Sequence, residues 1–204
     1  VILNGSQQAL DLVGRILLDE GDPVAIESPT YLALLSAWRP LGVELRPVDS
    51  DADGLCVQTL DRIPPVKGVY AVPNYQNPRG TTLSLERRRW LASWLQNRPC
   101  WLLEDNPYGE LRYEGEALPH VFDLNARRGD RGGLEAEVIY TSTLSKVLAP
   151  GLRLGFLVAP EPVVDRIVRA KQSADLHTAT FNQYLALDLL ESGLLDRQIP
   201  QIGR

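Results

Sequence analysis

The chain is short of several things, and each shortage removes a class of function. It has 204 residues, two cysteines, two histidines and no methionine. Cys56 and Cys100 lie too far apart in sequence for a metal or redox motif, so both read as ordinary packing residues. His120 and His177 belong to no ligand spacing, and His177, between two helical patterns, reads as structural; no metal site is expected. No apolar run is long enough to span a bilayer. Charge is mixed, with a net of −5, so neither a nucleic-acid nor a membrane surface is indicated. No Gly-x-Gly-x-x-Gly follows a predicted strand, which argues against a nicotinamide-binding Rossmann domain. The start on Val1-Ile2-Leu3 and the want of methionine lead us to expect a piece of a longer protein with artificial termini.

What is present is a core-forming composition, 44% hydrophobic, without internal repeats or low-complexity tracts. Strand-like runs cover 22–27, 43–48, 66–72, 101–105, 138–141 and 152–158. Helical spacing covers 9–18, 31–41, 85–97, 161–173 and 178–192. Ser6 is a natural cap for the first helix and Ser84 for the third. The run Arg87-Arg88-Arg89 reads as a solvated face, and Phe181, Leu185, Leu189 and Leu190 as an apolar stripe for the sheet or a partner chain. Residues 125–137, charged and glycine-rich, read as a mobile surface insertion. This alternation predicts an α/β domain with a largely parallel sheet.

Ligands of such sheets bind beyond the carboxyl ends of the strands. The most informative stretch there is Val138 to Phe156, a strand followed by Thr141, Ser142, Thr143, Ser145, Lys146 and a Pro150-Gly151 turn, with Arg153 on the next strand. A lysine at the end of a buried strand should be partly desolvated and nucleophilic. Hydroxyls and an arginine beside it suit a phosphate. Together they suggest a Schiff base with pyridoxal phosphate. The plainer alternative is a solvated loop lysine and an ordinary surface arginine. Asn77, Asp105 and Tyr108 fall on other strand-to-loop junctions, which argues for one shared site. Asp105, a carboxylate ending a buried strand, needs either an ion-pair partner or a function.

Gly5-Ser-Gln-Gln-Ala-Leu10, Pro29-Thr-Tyr31, Asn77-Pro-Arg-Gly80, Glu104-Asp-Asn-Pro-Tyr108 and Ser145-Lys-Val-Leu-Ala-Pro-Gly-Leu-Arg-Leu-Gly155 occur in an order that matters. Together they resemble the large domain of fold-type I pyridoxal-phosphate aminotransferases of class I/II, in the branch with 2-aminoadipate, kynurenine and aromatic aminotransferases. The resemblance implies a three-layer α/β/α fold with a mostly parallel mixed sheet. It implies that residues 1–204 are the cofactor-binding large domain, without an N-terminal segment and a C-terminal small domain. It further implies a cytoplasmic homodimer acting on an amino acid and a 2-oxo acid.

By the same resemblance, Lys146 is the internal-aldimine lysine and proton shuttle, and Asp105 the partner of the pyridine nitrogen. Asn77 and Tyr108 bond the ring oxygen, and Tyr31 stacks on the ring. Ser6, Gln7, Thr143, Ser145 and Arg153 hold the phosphate. Two rivals share these residues: a lyase or decarboxylase on the same fold, and the aminotransferase-like sensor domain of a winged-helix transcription regulator.

Overall fold

A computed structural model describes residues 1–96, 98–126 and 138–202 of the chain. Most of the insertion expected at 125–137 therefore lies outside the described residues. The chain begins with a short strand β1 (Ile2–Leu3) and helix α1 (Ser6–Leu17), then β2 (Pro23–Ser28), α2 (Leu32–Trp38), β3 (Glu44–Asp51) and β4 (Gly54–Leu55). It continues through β5 (Gly68–Ala71), α3 (Leu85–Leu95), β6 (Trp101–Asp105), α4 (Val121–Ala126), β7 (Val138–Thr143) and β8 (Gly155–Val158). It ends in α5 (Glu161–Asp175), α6 (Thr180–Glu191) and α7 (Leu194–Ile202).

The strands form one sheet in the order β1-β8-β7-β6-β5-β2-β3-β4. The stretch from β7 through β6, β5 and β2 to β3 is parallel. β8 runs antiparallel to both of its neighbours, and β4 turns back on β3. Alternate residues of the strands feed opposite layers, as a period of two requires. Val24, Ile26, Tyr70, Leu103 and Ile139 pack with α1, α2 and α5 on one face. Ala25, Val69, Ala71, Leu102 and Val138 pack with α3 and α4 on the other. The result is the three-layer α/β/α arrangement expected, with a mostly parallel mixed sheet.

Several local expectations are corrected. Gly5, at φ 78°, is the residue that caps α1, and Ser6 is already its first helical residue. Gly5 holds that place because its φ of 78° and ψ of 168° suit glycine almost alone, and a Cβ there would also meet Arg153 Nη2 at 2.8 Å. Arg153 is not on a strand: it sits at φ 51° on the turn before β8. Ser84 does cap α3, accepting from the Arg87 N–H at 3.5 Å. The arginine run that follows is not a uniformly solvated face. Arg89 is exposed and Arg87 pairs with Asp51 at 2.6 Å, but Arg88 is fully buried. The stripe on α6 is only partly covered: Leu185 and Leu189 are half-buried, and Phe181 and Leu190 stay exposed. The periodicity along the chain predicts neither β1 nor α7. Both cysteines are free.

Candidate active site

At the carboxyl ends of the parallel strands lies a cleft lined by Ser6, Gln7, Tyr31, Asn77, Asp105, Tyr108, Thr143, Ser145, Lys146 and Arg153, with Val72 and Pro107 completing the wall. Every residue singled out from sequence is therefore in one place. The topology explains it: β5, β6 and β7 are parallel neighbours, so Asn77, Asp105 and the segment Thr143–Lys146 leave the sheet at the same edge.

Asp105 forms the floor. It is 2% exposed, and Tyr70 Oη donates to its Oδ2 at 2.8 Å. Its Oδ1 is buried without a partner. Burial pushes the carboxyl up to about 7, against the opposing pull of the Tyr70 hydrogen bond. On one wall, Asn77 Nδ2 donates to Tyr108 Oη at 3.3 Å. Tyr31, at the start of α2, is half-buried opposite. Burial, then Asp105 and Tyr108, push its hydroxyl up, while Arg153 pulls it down.

The other end of the cleft gathers donors that suit an anion. No side chain caps the start of α1, a twelve-residue helix, at Ser6 and Gln7. Arg153 Nη1 donates to Ser145 Oγ at 3.4 Å and to Pro150 O at 3.1 Å. Thr143 donates to Leu154 O at 2.9 Å and accepts from the Ser145 N–H at 3.1 Å, so its hydroxyl holds the turn that carries Ser145 and Lys146. Gly155 lets β8 approach this corner, because a Cβ there would lie 2.7 Å from the Gly5 carbonyl carbon. Lys146 is exposed in the cleft, its Nζ 5.8 Å from the centre of the Tyr108 ring. The burial expected for it is not there: β7 ends at Thr143, and Lys146 stands on the turn beyond.

Behind the cleft is a polar network that sequence reasoning missed. Arg88 donates to Leu83 O, Pro73 O, Pro119 O and Asn74 Oδ1 at 2.7 to 3.2 Å. Asn74 Nδ2 donates to Asn106 Oδ1, and Asn106 Nδ2 to Tyr140 Oη, each at 2.8 Å. This network braces the loops that carry Asn77 and Tyr108. The close packing at Gly109, where a Cβ would run into Asn106 Oδ1, belongs to the same brace. The one signal in sequence was the pair of asparagines, Asn74 and Asn106, directly after β-type runs. Among the described residues no cluster of His, Cys, Asp or Glu could hold a metal ion, and no helix is long and apolar enough to cross a membrane.

A buried acid, a lysine and a group of anion-suited donors thus share one cleft of a three-layer α/β/α domain. The chain belongs to the aminotransferase class I and II family, whose model matches residues 1–199. It is 40% identical over 207 residues to aromatic-amino-acid aminotransferase 1 of Thermococcus litoralis, covering 98% of this chain and 48% of that protein. The crystal structure of LysN, the α-aminoadipate aminotransferase of Thermus thermophilus complexed with N-(5'-phosphopyridoxyl)-L-leucine, superposes with a TM-score of 0.92 at 37% identity, covering 100% of this chain and 51% of that one. A more distant relative, the uncharacterized HTH-type transcriptional regulator YisV of Bacillus subtilis, is 28% identical over 207 residues, covering 100% of this chain and 41% of that protein. The chain spans about half the length of the curated relatives it matches.

Proposed function

We propose that the whole protein is a pyridoxal-phosphate-dependent aminotransferase that moves an amino group between an α-amino acid and a 2-oxo acid. The observation that carries this reading is the orphaned Oδ1 of Asp105. A buried carboxyl oxygen with no partner is costly, and a cationic ring N–H would satisfy it. The anion corner at Ser6, Ser145 and Arg153 suits a phosphate at the other end of the same ligand. Pyridoxal phosphate, when bound, supplies the electron sink that makes the substrate's α-proton removable.

In this proposal Asp105 holds the proton on the ring nitrogen, with Tyr70 fixing the carboxyl's other oxygen. Asn77 and Tyr108, already joined to each other, bond the ring oxygen. Tyr31 covers one ring face. The backbone N–H groups of Ser6 and Gln7 hold the phosphate with Ser145 and Arg153, and Thr143 positions them. Lys146 Nζ attaches the cofactor and, once displaced by substrate, moves the proton at the substrate's α-carbon. A homodimer and a cytoplasmic location remain parts of this proposal. The identity to an aminotransferase, 40% against 28% for the regulator, supports an enzyme over a sensor domain.

The test is borohydride reduction of the whole protein after incubation with pyridoxal phosphate, followed by peptide mapping. We expect a pyridoxyl group confined to Lys146, and amino-group exchange when an aromatic amino acid or 2-aminoadipate is supplied with a 2-oxo acid. Scattered or absent labelling would overturn the assignment. Labelling at Lys146 with release of ammonia or carbon dioxide would instead make the protein a lyase or decarboxylase.

A further inference from the structure

Glu27, the penultimate residue of β2, is a carboxyl only 2% exposed that does not line the cleft, and Gln76 is buried to the same degree. Glu27 Oε2 accepts from the Val72 N–H at 2.9 Å and from Gln76 Nε2 at 3.3 Å. Gln76 Nε2 also donates to Pro29 O at 2.8 Å, and Gln76 Oε1 accepts from the Arg79 N–H at 2.9 Å. These bonds join two loops. One leaves β2 and carries Tyr31; the other leaves β5, contributes Val72 to the cleft wall, and carries Asn77 next to Gln76.

β2 and β5 are parallel neighbours, and their pairing ends at Ile26 and Tyr70. Beyond that point no ladder hydrogen bond between them sets the distance between Tyr31 and Asn77. Glu27 and Gln76 take over there, through side chains that reach the backbone of both loops. An apolar pair would fill the space and leave the Val72 N–H and Pro29 carbonyl unsatisfied. Burial, and in smaller measure nearby Asp105, push the Glu27 carboxyl up to about 8, consistent with a second acid packed beside the site's own.

We infer that Glu27 and Gln76 form a clasp that sets the width of the slot between Tyr31 and Asn77, making both of them positioning residues for the pyridoxal ring. The inference rests on the cofactor reading above.

The experiment titrates the unliganded whole protein with pyridoxal phosphate, reading the dissociation constant and the absorption maximum of the bound form. It compares the unaltered protein with Glu27→Ala, which removes the accepting oxygen, with Gln76→Ala and with the double variant, and records thermal midpoints of the unliganded forms. Each single variant should bind about tenfold more weakly, the weight of one buried hydrogen bond, and shift the absorption maximum. The double variant should bind no worse than the weaker single one within about threefold, because both act through one contact. Unchanged affinity and spectrum in the variants, with normal binding by the unaltered protein, would overturn the clasp alone; a lowered thermal midpoint without those changes would mark a merely structural pair. Should Glu27→Ala fail to fold, Gln76→Ala and Gln76→Glu decide by the same two readouts. Failure of the unaltered protein to bind would overturn the cofactor reading, and the clasp with it.

Discussion

Tyr70 and Asp105 stand on adjacent parallel strands, β5 and β6, and the tyrosine hydroxyl donates to Asp105 Oδ2 at 2.8 Å while Oδ1 of the same carboxyl has no partner. The tyrosine is itself fully buried, and burial followed by Asp105 raises its hydroxyl well above the usual range, so it stays a donor. One oxygen of the acid is thereby fixed and the other is free of hydrogen bonds.

Tyr70→Phe should keep the ring packing against Trp38 and lose only this hydrogen bond. The unliganded chain should lose about 1–3 kcal/mol, the weight of a buried hydrogen bond to an acid, read as a lower urea midpoint. Affinity for pyridoxal phosphate should fall in the same variant. A variant as stable as the unaltered protein and equal in affinity would show that Asp105 is held by something else.

Stability of the unliganded chain should depend on pH through Asp105 and Glu27. Burial raises the first from 3.8 to about 7 and the second from 4.5 to about 8. Below about pH 3 both are protonated whether folded or not, and neither opposes folding. As pH rises the unfolded chain ionises first, so stability is lost progressively until about pH 8, then levels off. Urea midpoints at pH 5 and pH 8 should show the earlier one more stable, and Asp105→Asn should flatten part of that slope.

Lys146→Ala should abolish covalent attachment of pyridoxal phosphate and leave the fold intact. The side chain is exposed in the cleft, so no buried contact is lost. Borohydride reduction and circular dichroism on one sample would check both halves.

Gly5→Ala should act at a distance from the added methyl. The residue sits at φ 78° and ψ 168°, a region that is essentially glycine-only, where an alanine is strained by about 1–3 kcal/mol. The methyl would also displace the Arg153 guanidinium, 2.8 Å away. Affinity for pyridoxal phosphate, and for inorganic phosphate as its competitor, should fall more than the thermal midpoint does.

Arg88→Met should destabilise the fold by roughly 3 kcal/mol, since several buried acceptors lose their donor at once. Arg89→Met, one position on and exposed, should be close to neutral. Urea midpoints of the two variants would show whether burial or mere membership of the arginine run matters.

Much of this protein is legible in its amino-acid sequence alone. Alternating runs of two periods dictate strands and helices, and parallel strands put their carboxyl ends together, so Asn77, Asp105, Tyr108 and Lys146 had to converge. That is local patterning plus a topological rule, and both are written along the chain. What only the tertiary structure decided is which polar side chains are buried and what they bind. Arg87, Arg88 and Arg89 look alike in sequence, yet the loops at Pro73, Leu83 and Pro119 bring their carbonyls to the middle one alone. Ser6 carries the chemistry of a cap, but the helix already starts at it, and the cap place falls to Gly5 in a backbone conformation that suits glycine. Lys146 ends in the open because its strand stops three residues earlier. Glu27 and Gln76, distant in sequence, become partners where β2 and β5 run out of hydrogen bonds. A polar group's partner is set by whatever the fold delivers to it, and no periodicity along the chain encodes that.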